Sequence, residues 1–182
     1  MKKVDLSLYD NSHYRPGSAA RRALWYLISL IFFQSYLFPF SPLKRFLLRL
    51  FGGDISSGVV IKPCVLIKYP WFLKIGKNTW IGEKVWIDNL AEVNIGANVS
   101  ISQGAMLLTG NHNYKKRTFD LEVYPITILN GAWIGAKTVV CPGVICETHS
   151  VLTVGSVAVK NLEAYQIYSG NPAKAIRKRI IE

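Results

Sequence analysis

Histidines, cysteines and clustered cations are the side chains of this 182-residue chain with the most chemistry to offer. An imidazole can take a proton from a hydroxyl near neutral pH and hand it on, so His13, His112 and His149 are the candidates for general-base work. They do not suggest a zinc site. His112 and His149 stand 37 residues apart, and His13 lies in a different part of the chain. The thiols Cys64, Cys141 and Cys146 are odd in number, lack metal-ligand spacing and have no evident histidine partner in sequence, so core packing is their expected role. The first apolar stretch begins too late, behind a polar N-terminus, to be a cleavable signal, and a reducing cytoplasm is the expected compartment.

Which histidine works depends on what holds it. Hydrophobic residues make up 50% of the chain and charged residues 18%, which excludes disorder and coiled-coil composition and leaves one domain with a core. The formal net charge of +11 is concentrated at the ends: residues 1–53 carry +6, residues 171–182 carry +3 and the long middle only +2. No stripe of Lys and Arg interleaved with aromatics runs along that middle, so no nucleic-acid partner is expected.

The middle holds the positioning elements. Aliphatic or small apolar residues recur at every sixth position within five triplets: Ile55, Ile61, Ile67; Ile75, Ile81, Ile87; Ile95, Ile101, Leu107; Ile128, Ile134, Val140; Cys146, Leu152, Ala158. Small or β-branched residues fill the fifth place of most hexads, and Gly76, Gly82, Gly96 and Gly135 follow their aliphatics, as a tight bend would require. Neither a helix nor a simple alternation has period six. Each hexad reads as a short strand and a corner, and three hexads close a triangular turn. Five stacked turns would bury a column that no single turn could bury, giving an all-β solenoid over residues 54–163. The register breaks once. The polar run Gly110–Asp120 cannot be coil interior, so residues 110–127 form a projecting loop, and insertions of this kind usually carry function. His112 stands at the base of that loop, whereas His149 falls in a regular hexad.

This register resembles that of the hexapeptide-repeat acyltransferases. The segments WIDNLAEVNIGANVSISQGAMLLTGNHNY (residues 86–114), ITILNGAWIGAKTVVCPGV (residues 126–144) and YSGNPAKAIRKR (residues 168–179) are most similar to the sugar O-acetyltransferases of colanic acid and other exopolysaccharide synthesis. The resemblance spans about residues 55–180. It implies a left-handed parallel β-helix, a homotrimer, and acetyl-CoA as acyl donor in a groove between neighbouring subunits, with no metal. In that scheme His112 takes a proton from a sugar hydroxyl as its oxygen attacks the thioester, and backbone N–H groups hold the oxyanion. Trp133, Gly135, Ala136, Val154, Gly155 and Lys160 match segments lining the donor groove, and Lys174 and Arg177 match a basic pair that meets the CoA phosphates. Asp88 and Asn89, one coil below His112 at the same edge, are the candidates to orient the sugar, with Tyr114 as a stacking partner. Lys84 stands where galactoside and maltose acetyltransferases carry a substrate-binding asparagine, so the acceptor stays open between a free sugar, a nucleotide sugar and a lipid-linked glycan. Transfer to an amine or to serine, and a non-catalytic scaffold on the same fold, are the alternatives.

Residues 1–53 fall outside the repeat. Residues 1–22 read as an extended polar arm. Residues 23–43 carry no charge, and Leu24–Phe33 is apolar around the whole circumference of a helix, which must be buried in something. Gln34, Ser35, Pro39, Ser41 and Pro42 interrupt it too early for a membrane span. Leu43–Phe51 reads as a second, amphipathic helix, with Leu43, Phe46, Leu47, Leu50 and Phe51 on one face and Lys44, Arg45 and Arg49 opposite. Gly52-Gly53 ends it. Two compatible readings follow: a helical cap on the first coil, and a peripheral contact of residues 23–51 with an anionic membrane on its cytoplasmic side. Residues 164–182 complete the chain as a short basic segment.

Overall fold

The structure, a computed structural model, describes residues 3–182, so residues 1 and 2 of the expected arm lie outside the described residues. Its body is a parallel β-solenoid of five complete three-sided coils and the start of a sixth at Leu162. The first face stacks Asp54–Ile55, Leu73–Ile75, Val93–Ile95, Ile126–Ile128 and Ile145–Cys146 in parallel. The second stacks Val60–Ile61, Trp80–Ile81, Ser100–Ile101, Trp133–Ile134, Val151–Leu152 and Gln166–Gly170. The third stacks Leu66–Ile67, Trp86–Asp88, Met106–Leu108, Val139–Val140 and Val157–Ala158. All fifteen residues of the six-residue register pair with a counterpart on an adjacent coil, and each is at most 4% exposed. Burying one such aliphatic is worth about 1.5–3 kcal/mol, so these columns are the main source of cohesion.

Two of the three corners are built alike. Between the first and second faces, Gly58, Asn78, Asn98, Gly131 and His149 all have positive φ, and between the second and third faces so do Cys64, Lys84, Gly104, Lys137 and Gly155. A left-handed residue three places past the inward aliphatic turns the chain sharply, and the fifth-place residue then buries beneath the corner. The glycines directly after the aliphatics have another reason to be glycine. A Cβ on Gly76 would lie 2.5 Å from Ala97 N, and one on Gly82 2.8 Å from Gln103 N, so bare backbone lets adjacent coils close on each other, rather than easing a bend. The third corner is longer in the first three coils, and in the third coil it carries an antiparallel hairpin of Gly110–His112 with Leu121–Val123.

Helix α1 (Ala19–Ile28) begins at Ser18, whose Oγ accepts the Arg21 N–H at 3.3 Å, and runs into a π-helical turn over Ser29–Phe33. Only one stripe faces the coil. Trp25, Ser29 and Phe33 are buried, with Trp25 Nε1 donating to Ile67 O at 2.9 Å, while Leu24, Tyr26, Leu27, Leu30 and Ile31 are exposed. The wholly buried helix expected from its composition is therefore not found within one chain, because the side of the coil offers a groove for a single stripe.

Helix α2 (Ser41–Leu50) lies across the open end of the first coil with its cations inward. Lys44 Nζ donates to Lys62 O at 2.9 Å, Arg45 Nη1 to Val59 O at 2.7 Å and Arg49 Nε to Ile55 O at 2.6 Å. No coil lies below to pair those carbonyls, so side-chain donors cover the edge of the sheet. Burial of Lys44 lowers its amine below the ordinary lysine pKa. The cap reading describes this helix: its cations face the coil, and Phe46 and Leu50 face outward. Among the described residues no helix is long and apolar enough to cross a membrane. At the other end, Gln166–Gly170 and Ala173–Lys178 form an antiparallel hairpin that extends the second face.

Candidate active site

The irregular third corners lie above one another along one edge, and buried polar side chains fix their conformation. Asn89 is wholly buried; its Oδ1 accepts the Tyr69 N–H at 3.0 Å and its Nδ2 donates to Tyr69 O at 2.6 Å. One coil higher, buried Thr109 donates to Asp88 O at 2.9 Å and accepts the Ala91 N–H at 3.0 Å. Each corner is thus bonded to the one below, and the hairpin bearing His112 rises from the top of this ladder. The Asp88 carboxylate, largely shielded, pairs with Lys68 Nζ at 2.9 Å.

His112 has a defined tautomer. Its Nδ1 lies 2.9 Å from Phe119 O, and a carbonyl can only accept, so Nδ1 carries the proton and Nε2 keeps the lone pair. Phe119 sits at φ +49°, a left-handed backbone that costs a bulky residue about 1 kcal/mol or more, and this conformation accompanies its carbonyl contact with the imidazole. Its ring also stacks on His112 at 4.4 Å with an interplanar angle of 8°. The arrangement can accept a proton at Nε2 while the Phe119 carbonyl steadies the resulting imidazolium.

The N-terminal arm, expected to be merely extended, returns to this edge. The Asp5 N–H donates to Arg117 O at 3.0 Å, the Asp5 carboxylate pairs with Arg117 at 3.0 Å, and the Tyr14 hydroxyl donates to Leu90 O at 2.7 Å. The Tyr9 ring centre lies 5.9 Å from that of His112. Between arm and edge is a cleft of about 830 Å³ whose walls include His112, Tyr9, Tyr14, Arg15, Arg22 and Lys68. That volume suits a sugar-sized ligand. Burial raises the Tyr14 phenol above its ordinary pKa, so it serves as a donor. A second cleft of about 440 Å³, between α1 and the third face, shares Arg22, Lys68 and Tyr69 with the first. The arm gave little signal in the sequence, because it is polar, has no periodicity and meets residues 76 to 112 positions away.

Asp88 pairs with Leu108 on the third face and lines the second cleft, whereas His112 lines the first. Asn89 does not reach the cleft, because its amide is engaged with Tyr69 backbone; it positions the corner instead. Tyr114 is 71% exposed on the loop and does not line the cleft, whose aromatic walls are Tyr9, Tyr14 and Tyr69. The expected donor-side residues gather elsewhere. Gly135, Ala136, Val154 and Gly155 meet at the second corner of consecutive coils, where the Gly155 N–H donates to Ala136 O at 2.9 Å. Trp133, half-exposed, lies on the adjoining second face with Nε1 donating to Ser102 Oγ at 3.0 Å. Pairing runs across that face from Trp133 to Val151, Ile167 and Arg177, and Lys174 is exposed on the same hairpin strand. Lys160 stands apart, exposed at the third corner of the fifth coil. Within one chain, His112 and the donor-side residues occupy different edges.

Neither the buried Cys146 nor the half-buried Cys141 is poised for nucleophilic work: burial pushes Cys146 up to about 12 and raises Cys141 as well. Among the described residues no group of three His, Cys, Asp or Glu side chains could hold a metal ion.

Set beside known proteins, the chain matches no family model. It is 37% identical over 172 residues to the Escherichia coli (strain K12) protein named "Putative colanic acid biosynthesis acetyltransferase WcaF", covering 92% of each. It is 29% identical over 138 residues to the galactoside O-acetyltransferase of the same organism, covering 74% of this chain and 68% of that one. Among solved structures, a hexapeptide-repeat acetyltransferase from Vibrio cholerae superposes with a TM-score of 0.79 at 25% identity, over 87% of this chain and 90% of that one. A galactoside acetyltransferase in complex with coenzyme A superposes with a TM-score of 0.77 at 26% identity, over 87% of this chain and 80% of that one.

Proposed function

Because this chain belongs to the family of the colanic acid biosynthesis acetyltransferases, which are hexapeptide-repeat enzymes, we propose that it moves an acetyl group from acetyl-CoA to a sugar hydroxyl in surface-polysaccharide synthesis, with His112 as general base. The hydrogen bond from His112 Nδ1 to Phe119 O carries the reading, since it leaves Nε2 as the basic nitrogen on the wall of a sugar-sized cleft. Nε2 takes the hydroxyl proton as the sugar oxygen attacks the thioester carbonyl. The C–S bond then breaks, and the departing thiolate recovers the proton from the imidazolium. No acyl-enzyme is needed.

The acetyl-CoA would lie along Trp133, Gly135, Ala136, Val154 and Gly155, with its phosphates on Lys174 and Arg177. Since that group and His112 sit on different edges of the coil, the reading includes a homotrimer, in which one subunit's third corner faces a neighbour's second corner. It also includes a peripheral contact with the cytoplasmic face of the plasma membrane. Leu24, Leu27, Ile31, Phe46 and Leu50 are exposed there, so the contact is apolar; the cations of α2 are engaged with the coil.

The test is thiol release from acetyl-CoA across a panel of free sugars, sugar phosphates, nucleotide sugars and glycolipids. Release that depends on an acceptor hydroxyl is expected. Absence of both turnover and CoA binding would overturn the proposal in favour of a scaffold. Flotation with anionic liposomes checks the membrane contact, with Leu27→Glu and Phe46→Glu expected to abolish it; a wild-type protein that never floats would remove it.

A further inference from the structure

We propose that Arg15 and Arg22, with Lys68 beside them, form an anion subsite in the cleft next to His112, so that the acceptor carries a phosphate or carboxylate near the hydroxyl to be acetylated. The inference rests on the reading of His112 as the acceptor-side base. Three cations stand on the walls of this cleft, and no carboxylate is among the residues that line it. Lys68 is matched by Asp88 at 2.9 Å, but among the described residues Arg15 and Arg22 have no acidic partner.

Several other basic side chains differ. Arg21, Lys44, Arg45, Arg49 and Arg179 donate to backbone carbonyls and serve the fold. Among the described residues Arg15 and Arg22 make no such bond, and both border one concave surface. Like charges gathered in a cleft repel one another unless an anion lies between them, and a guanidinium presents paired donors that match phosphate or carboxylate oxygens. Their positions are also held. Tyr14 is anchored to Leu90 O immediately before Arg15, and Arg22 rides on the first turn of α1. Arg22 and Lys68 line both clefts, but Asp88 lines the second, so the anion belongs in the first cleft beside Arg15 and Arg22, with the sugar towards His112. A neutral sugar would be met by the tyrosines and by Asn11 and would leave the guanidiniums unmatched.

Full-length protein saturated with CoA, so that added phosphate cannot report on the donor groove, is titrated calorimetrically with galactose 1-phosphate, galacturonate and methyl galactoside. At least one anionic sugar should bind about tenfold more tightly than the neutral glycoside, and the better of the two identifies the anion. R15Q and R22Q should each weaken that binding about tenfold, with CoA affinity and thermal midpoint unchanged, because neither side chain holds the fold together. Added salt should weaken it as well. Equal affinity for all three sugars, or anion binding that survives the R15Q/R22Q double substitution, overturns the subsite. Anion-selective binding in a protein that transfers acetyl to no acceptor would uphold the subsite and overturn the transferase reading.

Discussion

The first two corners of each coil and the third corner are made from the same repeat under different constraints. The first two keep one left-handed residue and one small buried residue coil after coil, and at Gly76, Gly82, Gly96 and Gly135 they add a close backbone approach. The third gives up the left-handed residue in the first three coils, lengthens, and takes its conformation from side chains: Asn89 and Thr109 bond to the corner below, and Tyr14 bonds to Leu90 from the N-terminal arm. A repeat coheres because its units are interchangeable, so reactive groups can vary only where that sameness is relaxed. His112, its Phe119 partner and the larger cleft all lie at the relaxed corner.

Substitutions can break this contrast. Ile101→Ala in the second face should lower stability by about 2–5 kcal/mol in chemical denaturation, with turnover per folded molecule unchanged. Asn89→Leu leaves the Tyr69 N–H unpaired, at about 1–3 kcal/mol, while the Tyr69 carbonyl keeps the Phe72 N–H at 3.1 Å, and it should differ in kind. It should also lower acceptor kcat/KM, because Lys68 and Tyr69 line the cleft; unchanged kinetics would make the third corner scaffolding like the others. Gly76→Ala sets a Cβ 2.5 Å from Gly96 C and should cost about 1–3 kcal/mol without a kinetic effect. Smallest in stability is Phe119→Gly, which relieves left-handed strain of about 1 kcal/mol. It should leave the thermal midpoint level or raised while turnover falls severalfold, since the ring stacked on His112 is gone.

Much of the coil was legible in the sequence because a period of six has one structural meaning, and all fifteen inward positions from Ile55 to Ala158 are buried in register. The single interruption located His112 for the same reason. Other features depend on long-range polar contacts that leave no periodic trace. The cation face of α2 turns inward because the end of a coil presents carbonyls rather than apolar surface, and an amphipathic pattern cannot distinguish those targets. Asn89 is polar yet buried, since the lengthened corner below it offers a backbone donor and acceptor at the right spacing. The arm closes the cleft through isolated residues, Asp5, Tyr9 and Tyr14, that no pattern in residues 1–22 sets apart.

The central claim, that the relaxed corner supplies the base for acetyl transfer, is tested most directly by His112→Ala, with turnover and CoA affinity measured on the same preparation. Acceptor-dependent thiol release should fall by about a hundredfold or more while CoA affinity stays at the wild-type value, because the proposed CoA contacts are made by Trp133, Gly135, Ala136, Val154 and Gly155 and not by the imidazole. Turnover within a few-fold of wild type would contradict the account and remove His112 from the mechanism.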